Sequence, residues 1–297
     1  MQLSTTGSGE TVYLNGLFLP ANEARISPFD RGFLFAHAAY EVTAMYDGRL
    51  VDWPGHAARL ARTLEGIDLP VPVADLEALH IELADRNAMA EGLVYLQVTG
   101  GAYGFRDFAG PESLEPSVFM FVSPKALIGA AARDGIAAVS LPDTRWRRRD
   151  FKTTQLLSQA LAYRTAQAAG AQTAFMHEDG TVTEAASANA WIVTAEGTLV
   201  TRDLSTDILH GITRAKALSL LNPADVSVEE RSFSLEEVRG AREAFTTSAG
   251  AIIAPVIALD GAPIGDGRPG PVTRQVQRLY YEAMGADVAS VAPWATP

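Results

Sequence analysis

Along the first part of the chain, apolar and polar residues alternate around two short turn signals. TVYLNGLFL alternates about Asn15-Gly16, and YEVTAMYDGRLVDW about Asp47-Gly48. Both dipeptides tolerate the positive φ of a tight turn, so each segment is predicted to form a β-hairpin. The period then lengthens. In PGHAARLARTLEGI, Ala57, Leu60, Ala61 and Leu64 recur at helical spacing, with Pro54 suited to a first turn and Gly66 to an end. A second helix is expected over 76–89, after which LVYLQVTGG and SVFMFVS return to strand.

Pro124 and Gly129 punctuate a predicted linker. Beyond it, GIAAVSLP reads as strand and TTQLLSQALAYRTAQAAG as a helix ended by Gly170. AFMHEDGTVTEA and AWIVTAEGTLVT are predicted hairpins, turning at Asp179-Gly180 and near Gly197. Helices follow from Thr213 and from Ser234, whose spacing to Glu237 is that of a capping box. GPVTRQVQRLYYEAMG closes the pattern as a helix between Pro271 and Gly285, and SVAPWATP is expected to be a loose tail. Strands and helices come in mixed order without regular βαβ alternation, which predicts an α+β fold. The expected organisation is a small N-terminal α+β domain over 1–124, a linker over 125–129 and a larger C-terminal α+β domain over 130–297.

Composition narrows the function. With 47% hydrophobic and 20% charged residues over 297 positions, the chain can bury substantial cores. A net charge of -11 opposes nucleic acid as a partner, so any anion site must be local. The absence of cysteine excludes a disulfide framework, a thiolate metal site and a cysteine nucleophile, and no metal is expected. The opening MQLSTTGSGETVYLNG lacks the basic and apolar regions of an export signal, and no apolar run is long enough to span a bilayer. A cytoplasmic protein without a membrane partner is the expectation.

Among 24 basic residues only Lys125, Lys152 and Lys216 are lysines. Lys152 stands out in RRRDFKTTQLLSQALA, ahead of an apparent helix. A lysine can lose its proton and attack a carbonyl to form an imine, which arginine cannot. Neighbouring cations, here Arg147, Arg148 and Arg149, would favour the neutral amine if their heads lay close. Spacing alone fits a solvated lysine as well, and Lys125 and Lys216 compete with it.

Six segments taken together extend this reading. RISPFDRGFLFAHAAYEV, WPGHAARL, RRDFKTTQLLSQALA, DGTVTEAASANAWIV, DILHGITRAKAL and EAFTTSAGAIIAPV occur in the order and approximate spacing of the fold-type IV pyridoxal-phosphate aminotransferases. The chain resembles that family, and its D-amino-acid aminotransferase branch most closely, from about Val12 to Met284. The resemblance implies a two-domain α+β enzyme that binds pyridoxal 5'-phosphate and works as a homodimer.

Carried over position by position, the resemblance makes Lys152 the lysine that links to the cofactor aldehyde and later moves the substrate proton. Glu184 becomes the carboxylate facing the pyridine nitrogen. Arg59, the Ile212 and Thr213 amides with the Thr213 hydroxyl, Ser248 and the Ala249 amide become the phosphate cradle, since a helix start supplies free donors. Leu209 is implied against the cofactor ring and Tyr40 in the substrate pocket. EAASAN departs from the family's glycine and serine-rich continuation, and FAHAAYEV replaces the commoner FGDGVYEV, which puts His37 in an unusual place.

Substrate recognition departs further. D-amino-acid members commonly carry an arginine directly after QVT, where this chain has Gly100. Arg106, in the same loop, is the candidate replacement, and Arg31 or Arg25 from a partner subunit are others. The implied reaction moves the amino group of a D-amino acid to a 2-oxo acid, such as pyruvate or 2-oxoglutarate, in ping-pong fashion. Transamination of (R)-amines or branched-chain L-amino acids, a lyase activity like that of aminodeoxychorismate lyase, and noncatalytic cofactor binding are the alternatives.

Overall fold

The computed structural model describes residues 10–69, 71, 75–222 and 226–296. The expectation drawn from the opening of the chain rests partly on residues 1–9, which lie outside the described residues. The chain divides into two compact units: one formed up to Ala126 together with Phe151–Thr154, the other by Leu127–Asp150 and Gln155 onward. The segment that carries Lys152 therefore packs with the first unit, although it comes after the start of the second.

In the first unit, β1 (Thr11–Leu14) and β2 (Leu17–Pro20) form the first hairpin, followed by the short helix α1 (Arg31–Phe35). The second hairpin is β3 (Ala38–Tyr46) with β4 (Arg49–Leu50). Helices α2 (Trp53–Gly66) and α3 (Leu76–Arg86) precede β5 (Gly92–Thr99) and β6 (Ser117–Pro124). The six strands form one antiparallel sheet in the order β2-β1-β6-β5-β3-β4. Both hairpin turns have positive φ at Asn15 and Gly16 and at Asp47 and Gly48, as their dipeptides predict. Met45, Val94, Leu96, Val98, Met120 and Val122 from the sheet meet Leu60, Leu64 and Leu83 from the helices in one core. Each such side chain removed from water contributes roughly 1.5–3 kcal/mol.

The second unit opens with α4 (Ala130–Asp134), β7 (Ile136–Pro142) and α5 (Leu157–Ala168). Then come β8 (Thr173–Glu178), β9 (Thr181–Ala185), β10 (Asn189–Val193) and β11 (Leu199–Thr201), followed by α6 (Ile212–Leu220). The chain continues through β12 (Val228–Glu230), α7 (Leu235–Gly240), β13 (Glu243–Ser248), β14 (Ile252–Leu259), β15 (Ala262–Pro263), α8 (Pro271–Ala283) and α9 (Val288–Val291). Its nine-stranded sheet runs β12-β11-β10-β13-β14-β7-β8-β9, with β15 on β14. The β11–β12, β14–β7 and β7–β8 pairs are parallel and the rest antiparallel, the mixed sheet of an α+β unit. Ser234 and Glu237 form the expected capping box at α7.

Two expectations change. The helix read from Thr153 begins only at Leu157, because Thr153 and Thr154 are held by β3: Ala39 bridges Thr153, and Thr154 N donates to Ala38 O at 3.2 Å. The tail is ordered through Thr296. Val288, Ala292 and Ala295 are buried, so α9 and the 3-10 turn Pro293–Ala295 replace the loose end that composition suggested. No helix among the described residues is long and apolar enough to cross a membrane.

Candidate active site

Lys152 is fixed by its backbone. Its carbonyl accepts from Tyr40 N at 3.0 Å, and its N–H donates to Thr63 Oγ1 at 3.2 Å. Before it, the Phe151 ring lies on Gly66, where an added Cβ would fall 2.1 Å from Phe151 Cζ. Gly66 thus admits the ring that anchors the lysine, besides ending α2. The amine itself sits over the Tyr40 face, 4.1 Å from the centroid. Tyr40 stacks on Tyr95, and Tyr95 on Phe121, giving the half-buried face of the sheet an aromatic row.

Arg59 emerges from α2 into a buried ion cluster. Its Nε and Nη2 donate to Glu41 Oε1 and Oε2, both at 2.7 Å, while His56 Nδ1 lies 2.8 Å from Glu41 Oε2. Burial opposes the charge on Glu41, yet Arg59 and His56 together hold its carboxyl well below the usual range. The result is an Arg59 guanidinium held in one orientation. Sequence reasoning missed Glu41 and His56. Their signals were a carboxylate inside the alternation of β3 and a histidine three residues before Arg59 on one helix face.

In the second unit, Glu184 is buried at the end of β9. It accepts from Arg145 Nη1, from Asn189 Nδ2 at 3.0 Å and from Leu209 N at 3.2 Å. Arg145 in turn donates to both oxygens of Asp143, which also accepts from Thr183 Oγ1 at 2.6 Å. Burial pushes the Glu184 carboxyl up, against the pull of Arg145. Burial acts likewise on Asp143, but Arg145 and Thr183 hold that carboxyl below its ordinary value. Arg145, Asp143 and Asn189 were all missed. Of the arginines noticed instead, Arg148 pairs with Asp150, and Arg149 with Glu178 at 2.5 Å and Asp143 at 3.5 Å.

Asn189 ties this carboxylate to the start of α6. Its Nδ2 also donates to Leu209 O at 2.8 Å, and a Cβ on Gly211 would lie 1.9 Å from its Oδ1. Gly211 is the N-cap of α6 and has no side-chain cap, with Ile212 and buried Thr213 in the first turn. Ser248 and Ala249 begin the turn between β13 and β14, where Ser248 Oγ accepts from Ala251 N at 3.3 Å. Ile252, at φ 53° and buried, closes that turn in a conformation that costs a β-branched residue on the order of 1–3 kcal/mol, so the surroundings fix its shape.

The two substrate candidates differ. Arg106 is exposed, with its guanidinium 4.5 Å from the Phe108 centroid and 5.3 Å from that of Phe35. Arg31 is buried and donates to Asp107 O at 2.8 Å, Phe108 O at 2.9 Å and His37 Nδ1 at 3.1 Å. Its donors serve its own chain. Arg25 likewise donates to the carbonyls of Asn22 and Ala24.

The first unit offers an amine beside an aromatic face, and the second a buried carboxylate of fixed orientation and a glycine-led helix start; each is a residue type that a phosphorylated pyridine aldehyde requires. The profile of the amino-transferase class IV family matches residues 38–259. D-alanine aminotransferase of Staphylococcus aureus (strain MSSA476) is 34% identical over 274 residues, spanning 91% of this chain and 96% of that protein. That of Bacillus licheniformis is 35% identical over 280 residues, spanning 94% and 98%. The branched-chain amino acid aminotransferase of Escherichia coli shares the fold, with a TM-score of 0.84 at 22% identity over 95% of this chain and 98% of that one. The chain belongs to the class IV aminotransferases.

Proposed function

We propose that this aminotransferase uses pyridoxal 5'-phosphate to move the amino group of a D-amino acid to a 2-oxo acid such as pyruvate or 2-oxoglutarate. The buried Glu184 carboxylate carries the reading, because Arg145, Asn189 and the Leu209 amide favour its ionised form and hold it in one orientation, as a partner for a protonated pyridine nitrogen requires. The D-alanine aminotransferases at 34% and 35% identity support the D configuration of the donor.

When bound, the cofactor supplies an electron-withdrawing ring that stabilises negative charge at the substrate Cα. In this reading Lys152 Nζ would take up and hold the proton of the donor Cα, a task for which an amine is suited and a guanidinium is not. Glu184 would hold the proton of the ring nitrogen. Arg59 would neutralise the phosphate, and the Ile212 and Thr213 amides, the Thr213 hydroxyl, Ser248 and the Ala249 amide would donate to it. Leu209 would pack on the ring, Tyr40 would orient the donor, and Arg106 would hold the donor carboxylate.

The proposed working form is a cytoplasmic homodimer. Large apolar side chains left exposed in each unit support the dimer: Phe33 at 76% and Phe108 at 71% in the first, Leu157 at 73% in the second. Sedimentation equilibrium should give about twice 31.6 kDa.

The test is a single half-reaction followed by absorbance. D-alanine should convert the cofactor to its amine form while L-alanine leaves it unchanged. Conversion by L-leucine alone would contradict the D assignment, and conversion by an (R)-arylalkylamine alone would mean that no carboxylate is held.

A further inference from the structure

His37 takes no part in the proposed chemistry, yet it joins two segments of the first unit. Its Nδ1 faces Arg31 Nε at 3.1 Å and its Nε2 faces Ile67 O at 2.8 Å. A guanidinium N–H only donates and a carbonyl only accepts, so both contacts form together on the neutral ring with its proton on Nε2. Held this way, Arg31 reaches the carbonyls of Asp107 and Phe108, the two residues that follow Arg106. The Phe35 ring is near both guanidiniums, 5.1 Å from Arg31 Cζ and 5.3 Å from Arg106 Cζ. Contact therefore runs from the end of α2 through His37 and Arg31 to Arg106.

The glycines of this loop are shaped to the same pair. A Cβ on Gly100 would fall 2.9 Å from His37 Nδ1 and 3.2 Å from Arg31 Cβ. On Gly110 it would fall 3.0 Å from Arg31 Nη1. The position at which the family resemblance leads one to expect an arginine is thus filled from outside by the His37–Arg31 pair. The base of the loop has separate ties, Arg31 N to Gly101 O at 2.8 Å and Gly101 N to Thr99 Oγ1 at 3.1 Å.

We propose that His37, acting through Arg31, is a specificity-determining positioning residue that fixes the 106–108 backbone and so aims the Arg106 guanidinium at the carboxylate of the amino donor. The inference rests on the aminotransferase reading, with Arg106 as the carboxylate partner. His37 touches neither donor nor cofactor in this account. Its effect falls on how well the donor is held, not on the chemical step.

The test compares the cofactor-loaded wild type with His37→Leu, His37→Gln, Arg106→Ala and the His37→Leu/Arg106→Ala double variant. Leucine fills space without either polar contact, whereas glutamine can accept from Arg31 and donate to Ile67. Hydrogen exchange of amides 105–110 should quicken about tenfold in His37→Leu, with β5 unchanged as the control for folding. KM for the amino acid donor, D-alanine or L-leucine, whichever the wild type uses, should rise about tenfold in His37→Leu and in Arg106→Ala, with kcat within about twofold. The double variant should be no worse than Arg106→Ala, and His37→Gln should recover most of the loss. Unchanged loop exchange, effects that multiply in the double variant, or a fall in kcat alone would overturn the proposal. A wild type using L-leucine but not D-alanine would contradict the D assignment and leave the loop proposal standing; one that uses neither overturns both.

Discussion

The carboxylate of Glu41 and the guanidinium of Arg59 meet in two parallel hydrogen bonds of 2.7 Å, with the Glu41 side chain fully shielded from water. Each charge offsets the other in a place where a lone charge is costly. Substituting Glu41→Gln should leave Arg59 buried without its counter-charge, at a cost of about 3–5 kcal/mol in unfolding free energy. If Arg59 neutralises the cofactor phosphate, the same change should weaken cofactor binding about tenfold or more. Denaturant unfolding of the cofactor-free protein and titration with pyridoxal phosphate measure the two effects separately.

Arg145 stands between Glu184 and Asp143, and its removal leaves Glu184 without its cation and Asp143 with the longer 3.5 Å contact to Arg149. Arg145→Met should destabilise the protein by about 3–5 kcal/mol. Adding Glu184→Gln should recover a sizeable part of that loss, since the neutral amide needs no cation. Equal instability of the single and double variants, measured by thermal unfolding, would remove Glu184 as the main partner of Arg145.

Gly66 is required by its neighbour as much as by its helix. Gly66→Ala drives a methyl group into the Phe151 ring and should cost about 1–3 kcal/mol, with slower loading of cofactor as the Lys152 segment shifts. Phe151→Leu in the same chain should relieve the clash. Unfolding curves of the two single variants and the double variant provide the check.

His80 should make the protein sensitive to mild acid. Burial pushes its imidazole down to about 4, while its Nδ1 donates to Leu76 O at 2.6 Å and its ring lies 4.5 Å from Trp53. The unfolded chain takes up a proton near pH 6.5 and the folded protein only near pH 4, so this contribution to stability is complete above pH 6.5. It falls as pH drops between those values, by at most about 3 kcal/mol. His80→Phe should flatten that part of the stability curve, measured by denaturant unfolding at pH 7 and pH 5.

Local signals made much of the fold legible. Asn15-Gly16, Asp47-Gly48 and Asp179-Gly180 each take positive φ at both residues, and each joins paired strands. The turns carry their own chemistry, so the sequence sufficed. Helices α1 and α4 were not legible, because five residues are too few to show a 3.6-residue period. The tail was misread because its buried alanines and valine depend on distant packing, which composition does not express. The same limit governs the site. Lys152 and Glu184 could be named from their sequence blocks, but Arg145 meets Glu184 across 39 positions and Glu41 meets Arg59 across 18. Only folding makes those pairs. Arg31 shows the converse, for its candidacy as a substrate ligand did not foresee that its nitrogens bind loop carbonyls.

The account turns on the amine of Lys152 as the group that joins the cofactor. Borohydride reduction of the loaded protein, followed by peptide mapping, reads that bond directly. A pyridoxyl label on the peptide containing Lys152 is the predicted result; label on Lys125 or Lys216 instead, or none on saturated protein, would contradict it.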